Sequence, residues 1–319
     1  MSMGPLEFYM SPDVTLSDKL LEIFYVANGI VALYTAWKNL RDERNEHRVG
    51  SALFWGILGF LFIMGRWLPS ALTGALVIVM VVPAVLKRVT PGTNDAPTER
   101  EMEGNFHAIG MKIFIPALCI GVFALAFALF TPVSSLVGIG VGVLAAALIM
   151  HLYSKKNTPT VFLNDARRML DAVGPVSLLP ILLAALGSVF TAAGVGEVIS
   201  GIVSSVIPEG NMIVGIIVYG IGMAVFTMVM GNAFAAITVM TVGVGAPFVL
   251  ALGADPVVVG SIALTCGYCG TLCTPMAANF NMVPVAILDM KDNNGVIKKQ
   301  IPIALVMLAV QIVYMIALA

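Results

Sequence analysis

Residues 67–86 and 113–154 contain no Asp, Glu, Lys or Arg, and the other apolar stretches also run to about 20 residues. A helix of that length crosses a hydrocarbon core of roughly 30 Å, and in lipid every backbone polar group must be satisfied within the segment. These stretches therefore predict membrane-spanning helices, and shorter segments of alternating polarity would be needed for a β-barrel. Composition agrees, with 59% hydrophobic residues, 11% charged residues and a mean hydropathy of +0.97. The expected solvent is a lipid bilayer. The first residues carry no basic start and no small-residue cleavage site, so no removable signal peptide is expected. A net charge of −1, with the basic residues almost confined to loops, gives no reason to expect a nucleic-acid partner.

Spanning helices are expected at about 18–37, 50–65, 67–86, 109–130, 132–152 and 174–193, followed by apolar stretches at 211–250 and 256–289 and a plain helix at 301–318. The fold class is thus all-α, with about eight membrane helices plus a re-entrant hairpin and a broken helix. Three parts follow: scaffold-like helices over 1–152, a surface-lying helix within 153–173 that uses Met169, Leu170 and Val173, and a transport-like part over 174–319. Of the 17 Lys and Arg, all but Lys19 and Arg66 fall in the connections 38–49, 87–112, 153–173 and 290–300. With these helices the four connections share one side, which the positive-inside rule makes cytoplasmic, leaving both termini outside.

Two interruptions carry the chemistry. In "VMGNAFAAITV" Gly231 and Asn232 break an apolar run with no charge beside them. A full intracellular turn would normally be polar, whereas a backbone break at membrane depth is tolerated where it is buried in protein or lines a wet cavity. Asn232 offers an amide, and the helix restarting at Ala233 points free N–H groups and its positive end at the same place, which suits an anion. The second break, "GYCGTLCTPMAANFNMVPVAIL", holds Thr271, Thr274, Pro275, Asn279, Asn281 and Pro284. Pro275 removes an amide donor, so carbonyls near Gly270 to Thr274 become free for a cation or a hydroxyl. A kinked helix with Asn232 bonded to a neighbour is the bland reading of one break. Two breaks in one chain favour a transporter site.

At these residues the chain resembles the C-terminal half of the ion transporter superfamily, which includes the divalent-anion:sodium symporters; the likeness covers about 174–318. It implies an elevator-type dimer in which Gly231, Asn232 and Ala233 stand for a Ser-Asn-Thr tip, and Thr274, Pro275, Asn279 and Asn281 for the broken-helix loop. Two tip hydroxyls are missing, since Gly231 replaces Ser and Ala233 replaces Thr. Over nearly its whole length the chain resembles an uncharacterised family of bacterial inner-membrane proteins. That resemblance implies a smaller membrane-protein partner and, from the family's usual neighbours, pyroglutamate or a related small carboxylate as substrate.

Residues 1–152 show no second Asn-tipped interruption. Asn28 and Gly29 are the nearest candidate, and such a pair is more often helix packing. The other half of the site is therefore expected from the partner. Cys266, Cys269 and Cys273 have a spacing reminiscent of a metal site, yet Cys119, His47, His107 and His151 are remote, so packing is the expected role and no metal is assigned. Acidic residues near the spans, Glu22, Glu197, Glu209 and Asp289, sit at their ends. Without a mid-membrane carboxylate, sodium coupling or a passive carrier is favoured over a proton relay. No nucleophile, metal or acid pair indicates an enzyme. A sodium-coupled carboxylate transporter subunit is the leading expectation, and a channel or structural subunit the alternative.

Overall fold

The computed structural model describes residues 4–93, 98–203, 208 and 210–319, and among them every regular element is helical. Glu209, placed by sequence in an outer loop, lies outside the described residues. The chain divides into two compact units, Met1–Gly174 and Pro175–Ala319.

The first unit opens with α1 (Pro5–Met10) and α2 (Leu16–Leu40), whose N-cap Thr15 accepts from the Asp18 N–H. Helix α3 (Arg48–Met64) packs along α2 through glycine, because a Cβ on Gly29 would lie 2.8 Å from the Gly59 carbonyl. Gly29 is thus a packing residue. After a 3-10 turn at Gly65–Trp67 comes α4 (Ser70–Val85). Helix α5 (Glu99–Ile109) starts from a Thr98/Glu101 capping box and runs through a 3-10 turn, Gly110–Ile113, into α6 (Phe114–Phe130). Helix α7 (Ser135–Tyr153) lies against α6, with Gly138 beside the Phe123 carbonyl and Gly142 beside the Ile120 backbone. Helix α8 (Pro159–Val173) closes the unit.

The second unit comprises α9 (Leu179–Ala192), α10 (Val195–Val203), α11 (Met212–Met230), α12 (Ala233–Met240), a π-helical turn at Thr241–Gly245, α13 (Ala246–Phe248), a 3-10 turn at Leu250–Leu252, α14 (Pro256–Thr271), α15 (Ala278–Ile287) and α16 (Gly295–Leu318). Its core gathers Ile216, Tyr219, Met223, Met240, Val259 and Met315.

Among the described residues seven helical segments are long and apolar enough to cross a membrane: Leu16–Leu40, Arg48–Trp67, Arg100–Phe130, Ser135–Tyr153, Met212–Met230, Ala233–Leu252 and Gly295–Leu318. The spans expected at 67–86 and 174–193 are shorter than a full crossing. The first becomes the 16 residues of α4 because Pro69 delays helix onset. The second begins with a 3-10 stretch, Gly174–Leu178, and leaves 14 residues of α9. The segment expected at 109–130 begins earlier, since α5 feeds into it. The expected surface helix forms as α8, but its buried residues are Arg167 and Asp171 and not the apolar Met169, Leu170 and Val173.

Candidate functional site

Helices α11 and α14 run parallel in fixed register. Gly220 meets Cys266, Gly270 meets the Ala224 carbonyl, and the Thr274 hydroxyl donates to the Met228 carbonyl at 2.9 Å. Each pair lies four residues beyond the last on both helices, so the two breaks come level. At the first break Gly231 has φ 67°, the left-handed conformation that glycine adopts without a Cβ penalty, and its N–H closes on the Thr227 carbonyl at 2.7 Å. Asn232 is the N-cap of α12: its Oδ1 accepts from the N–H groups of Phe234 at 2.9 Å and Ala235 at 3.4 Å. The side chain is half-buried, and its amide nitrogen has no partner among the described residues. Ala233 is buried against α14, where a Cβ on Gly267 would come within 3.0 Å of it.

The second break is closed by one side chain. Pro275 lacks the N–H that would serve the Thr271 carbonyl four residues back, and the Ala278 N–H turns to Met276 instead of Thr274. Asn281, fully buried, fills both gaps, its Nδ2 donating to the Thr271 carbonyl at 2.7 Å and the Thr274 carbonyl at 2.6 Å. Two facing carbonyls require a donor, which fixes the orientation of the amide. The carbonyls expected to stand free for a cation are therefore occupied in this conformation. Asn281 Oδ1 is left buried without a partner, and so is the Thr227 hydroxyl. Thr271 turns its hydroxyl back to the Tyr268 carbonyl. Pro275 and Asn279 are exposed. Of the sequence candidates, then, Gly231, Ala233, Thr271, Thr274 and Asn281 are built into one locked tip, Asn232 edges it, and Pro275 and Asn279 face outward.

The tip is shallower than its neighbour. Ile312 on α16 packs at Gly220, ten residues before Met230, and α15 with the 288–294 turn reverses the chain so that α16 returns antiparallel. From Ile312 back to Gly295 is 17 residues, so α16 starts about 10 Å beyond the tip at 1.5 Å per residue.

Sequence reasoning missed two features. Past α12 the arm widens into the π turn, where the Ala246 N–H reaches Thr241 and the Tyr219 and Thr241 hydroxyls lie 2.7 Å apart. Pro247 lacks the N–H that would serve Gly243, and π turns often mark functional positions. "TVGVGAP", with two glycines and a proline, was the available signal. The other is a polar cluster in the first unit that joins α2, the loop after it, the 90–93 strap and α8. Asn39 donates to Asp171 at 2.8 Å and accepts from Arg167 at 3.1 Å, while Asp42 accepts from the Thr93 N–H at 2.6 Å. Burial would raise the Asp42 carboxyl, but hydrogen bonds from Thr93 and Arg44 and the nearby Arg167 charge outweigh it and hold it below 3.8. Cys266 and Cys269 are buried in packing, and no group of three or more potential metal ligands occurs among the described residues.

Fold and site together define a class, a multi-pass helical membrane protein that carries a capped hairpin locked to a broken helix. Within that class the chain belongs to the family described as Protein of unknown function (DUF979), whose model matches residues 22–319. No curated protein and no solved structure matches the chain.

Proposed function

We propose that the chain is one subunit of a sodium-coupled secondary transporter for a small carboxylate such as pyroglutamate, seated in the bacterial inner membrane with both termini outside. The observation that carries this reading is the Thr274 to Met228 bond, which brings two interrupted helices level at one tip. In this reading the tip is re-entrant, which accounts for a turn at Gly231 and Asn232 that carries no charge. The carboxylate meets the amide nitrogen of Asn232, because the Phe234 and Ala235 N–H groups that the sequence left free for an anion are already capped by Asn232 Oδ1. Sodium meets the Thr271 and Thr274 carbonyls once the Asn281 amide swings away, when Asn281 Oδ1 becomes a further oxygen ligand. The opposing half-site comes from a smaller membrane-protein partner, and the movement is of elevator type in a dimeric assembly. No comparison links the chain to the ion transporter superfamily, so the reading rests on the tip itself.

Uptake of labelled pyroglutamate into proteoliposomes, with and without an inward sodium gradient, tests the proposal. Chain plus partner is expected to take up substrate only with the gradient, and the chain alone is expected to be inactive. Asn232→Ser keeps a capping oxygen and loses the amide N–H, so uptake should fall while the thermal midpoint stays close to wild type. Full uptake by Asn232→Ser refutes the assigned role of Asn232. Gradient-independent flux through chain plus partner refutes coupling.

A further inference from the structure

Arg66, one of two basic residues outside the basic connections, is held in an unusual way. Its Nε donates to Glu22 Oε2 at 2.6 Å, and Glu22, about 9 Å into α2, is only 2% exposed. Its guanidinium carbon lies 4.7 Å over the ring of Phe8, the buried residue of α1. Among the described residues no protein acceptor meets its two terminal nitrogens. They belong to a side chain that is 41% exposed and lines a cleft of about 490 Å³ with Glu22, Tyr25, Leu61, Phe62 and Gly65. Tyr25 and Phe62 stack with centroids 6.3 Å apart and planes 14° apart, which gives the cleft a flat apolar wall.

The buried Glu22 carboxylate needs a cation, and Arg66 Nε meets that need with one edge of the guanidinium only. Here the carboxylate is sealed, the guanidinium is fixed through Nε, and the Arg66 side chain lines the cleft beside the Tyr25–Phe62 wall. Two parallel N–H groups on a planar cation match an anion with two oxygens. Ionisable groups within membrane helices mark functional sites by default.

We propose that Arg66, positioned by Glu22 beneath α1, is the recognition group of an oxyanion site in the first unit, which takes a carboxylate or phosphate borne on an apolar or planar body. The anion comes either from the phosphodiester of a membrane phospholipid or from a free small carboxylate. The site uses no residue of the hairpin tip, and it stands or falls without transport.

Binding to the detergent-solubilised full chain tests this. Native mass spectrometry with dihexanoyl-phosphatidylglycerol against uncharged dihexanoylglycerol forms the lipid arm, and calorimetry with pyroglutamate against its uncharged amide forms the solute arm. The wild type is expected to bind at least one anion and neither uncharged analogue. The double variant Glu22→Gln/Arg66→Gln, which removes both charges and leaves neither orphaned, is expected to lose about tenfold or more in affinity. Glu22→Gln alone keeps an acceptor oxygen to position Arg66 Nε and removes the competing charge, and is expected to bind as tightly as wild type or a few-fold tighter. Binding in the lipid arm alone assigns the site to a headgroup, and binding in the solute arm alone assigns it to a small acid. Absence of binding in both arms, an unaffected double variant, or equal loss in Glu22→Gln and the double variant overturns the proposal.

Discussion

The Asn281 amide is the most exacting test of how the break is held. In Asn281→Leu the number of heavy atoms is kept and both donors vanish, leaving the Thr271 and Thr274 carbonyls buried without partners. Each orphaned group costs about 1–3 kcal/mol, and the unpartnered Oδ1 lost with the substitution returns a similar amount once, so the net loss is about 1–3 kcal/mol. Asn281→Asp is isosteric but sets a carboxylate against two carbonyl oxygens, and should be the less stable variant at neutral pH and recover towards acid. Thiols give a local readout, because Cys266, Cys269 and Cys273 lie in the second unit and Cys119 alone lies in the first. On a Cys119→Ala background, a thiol-reactive fluorogenic dye followed through a thermal ramp in detergent reports opening of the second unit. The three tryptophans, Trp37, Trp55 and Trp67, all report the first. The dye midpoint should fall by about 5 °C for Leu and further for Asp, with the tryptophan midpoint unmoved. A Leu variant within about 1 °C of its background, or an Asp variant above it, would refute this account of the break.

Three further outcomes follow from the same geometry. Gly270→Ala drives a Cβ into the Ala224 backbone and should cost about 1–3 kcal/mol or more, whereas Gly260→Ala, with open space around it, should be neutral in the same dye assay. The Asp42 carboxyl sits below its ordinary 3.8 when folded, so its contribution to the first unit is present above that value and lost as pH falls through the folded one; tryptophan-detected stability should drop there, and less so in Asp42→Asn. In a cysteine-free background, single cysteines at Lys156 and Lys298 should resist an impermeant reagent applied from outside while one at Glu209 labels, and the reverse pattern would invert the topology.

What the sequence made legible was local, and what it hid was pairing at a distance. "MGNAF" reads as a glycine helix end followed by an asparagine cap, two rules that need only neighbouring residues, and both operate at Gly231 and Asn232. Pro275 likewise announces a missing donor. Which group supplies the replacement depends on how α15 folds back, and nothing in "AANFN" distinguishes buried Asn281 from exposed Asn279. The Thr274 to Met228 bond spans 46 residues and the Asn39 to Asp171 bond spans 132, separations at which no sequence period operates. The basic connections carried an orientation signal in their charge count. Their polar residues also form a folded cluster, to which counting is blind.

The locked tip also bears on how the second unit folds around two interrupted helices. Every backbone group freed at the two breaks and named above finds a donor or acceptor inside the second unit, the Thr271 and Thr274 carbonyls in Asn281 and the Met228 carbonyl in Thr274. The unit therefore needs no ligand or partner to satisfy its interruptions, as a segment at membrane depth must. What stays unmatched among the described residues is the Asn281 oxygen, the Thr227 hydroxyl and the Asn232 amide nitrogen, of which the first two are buried and cost about 1–3 kcal/mol each. In the proposed transport cycle the site opens by one concrete event, rotation of the Asn281 amide away from Thr271 and Thr274.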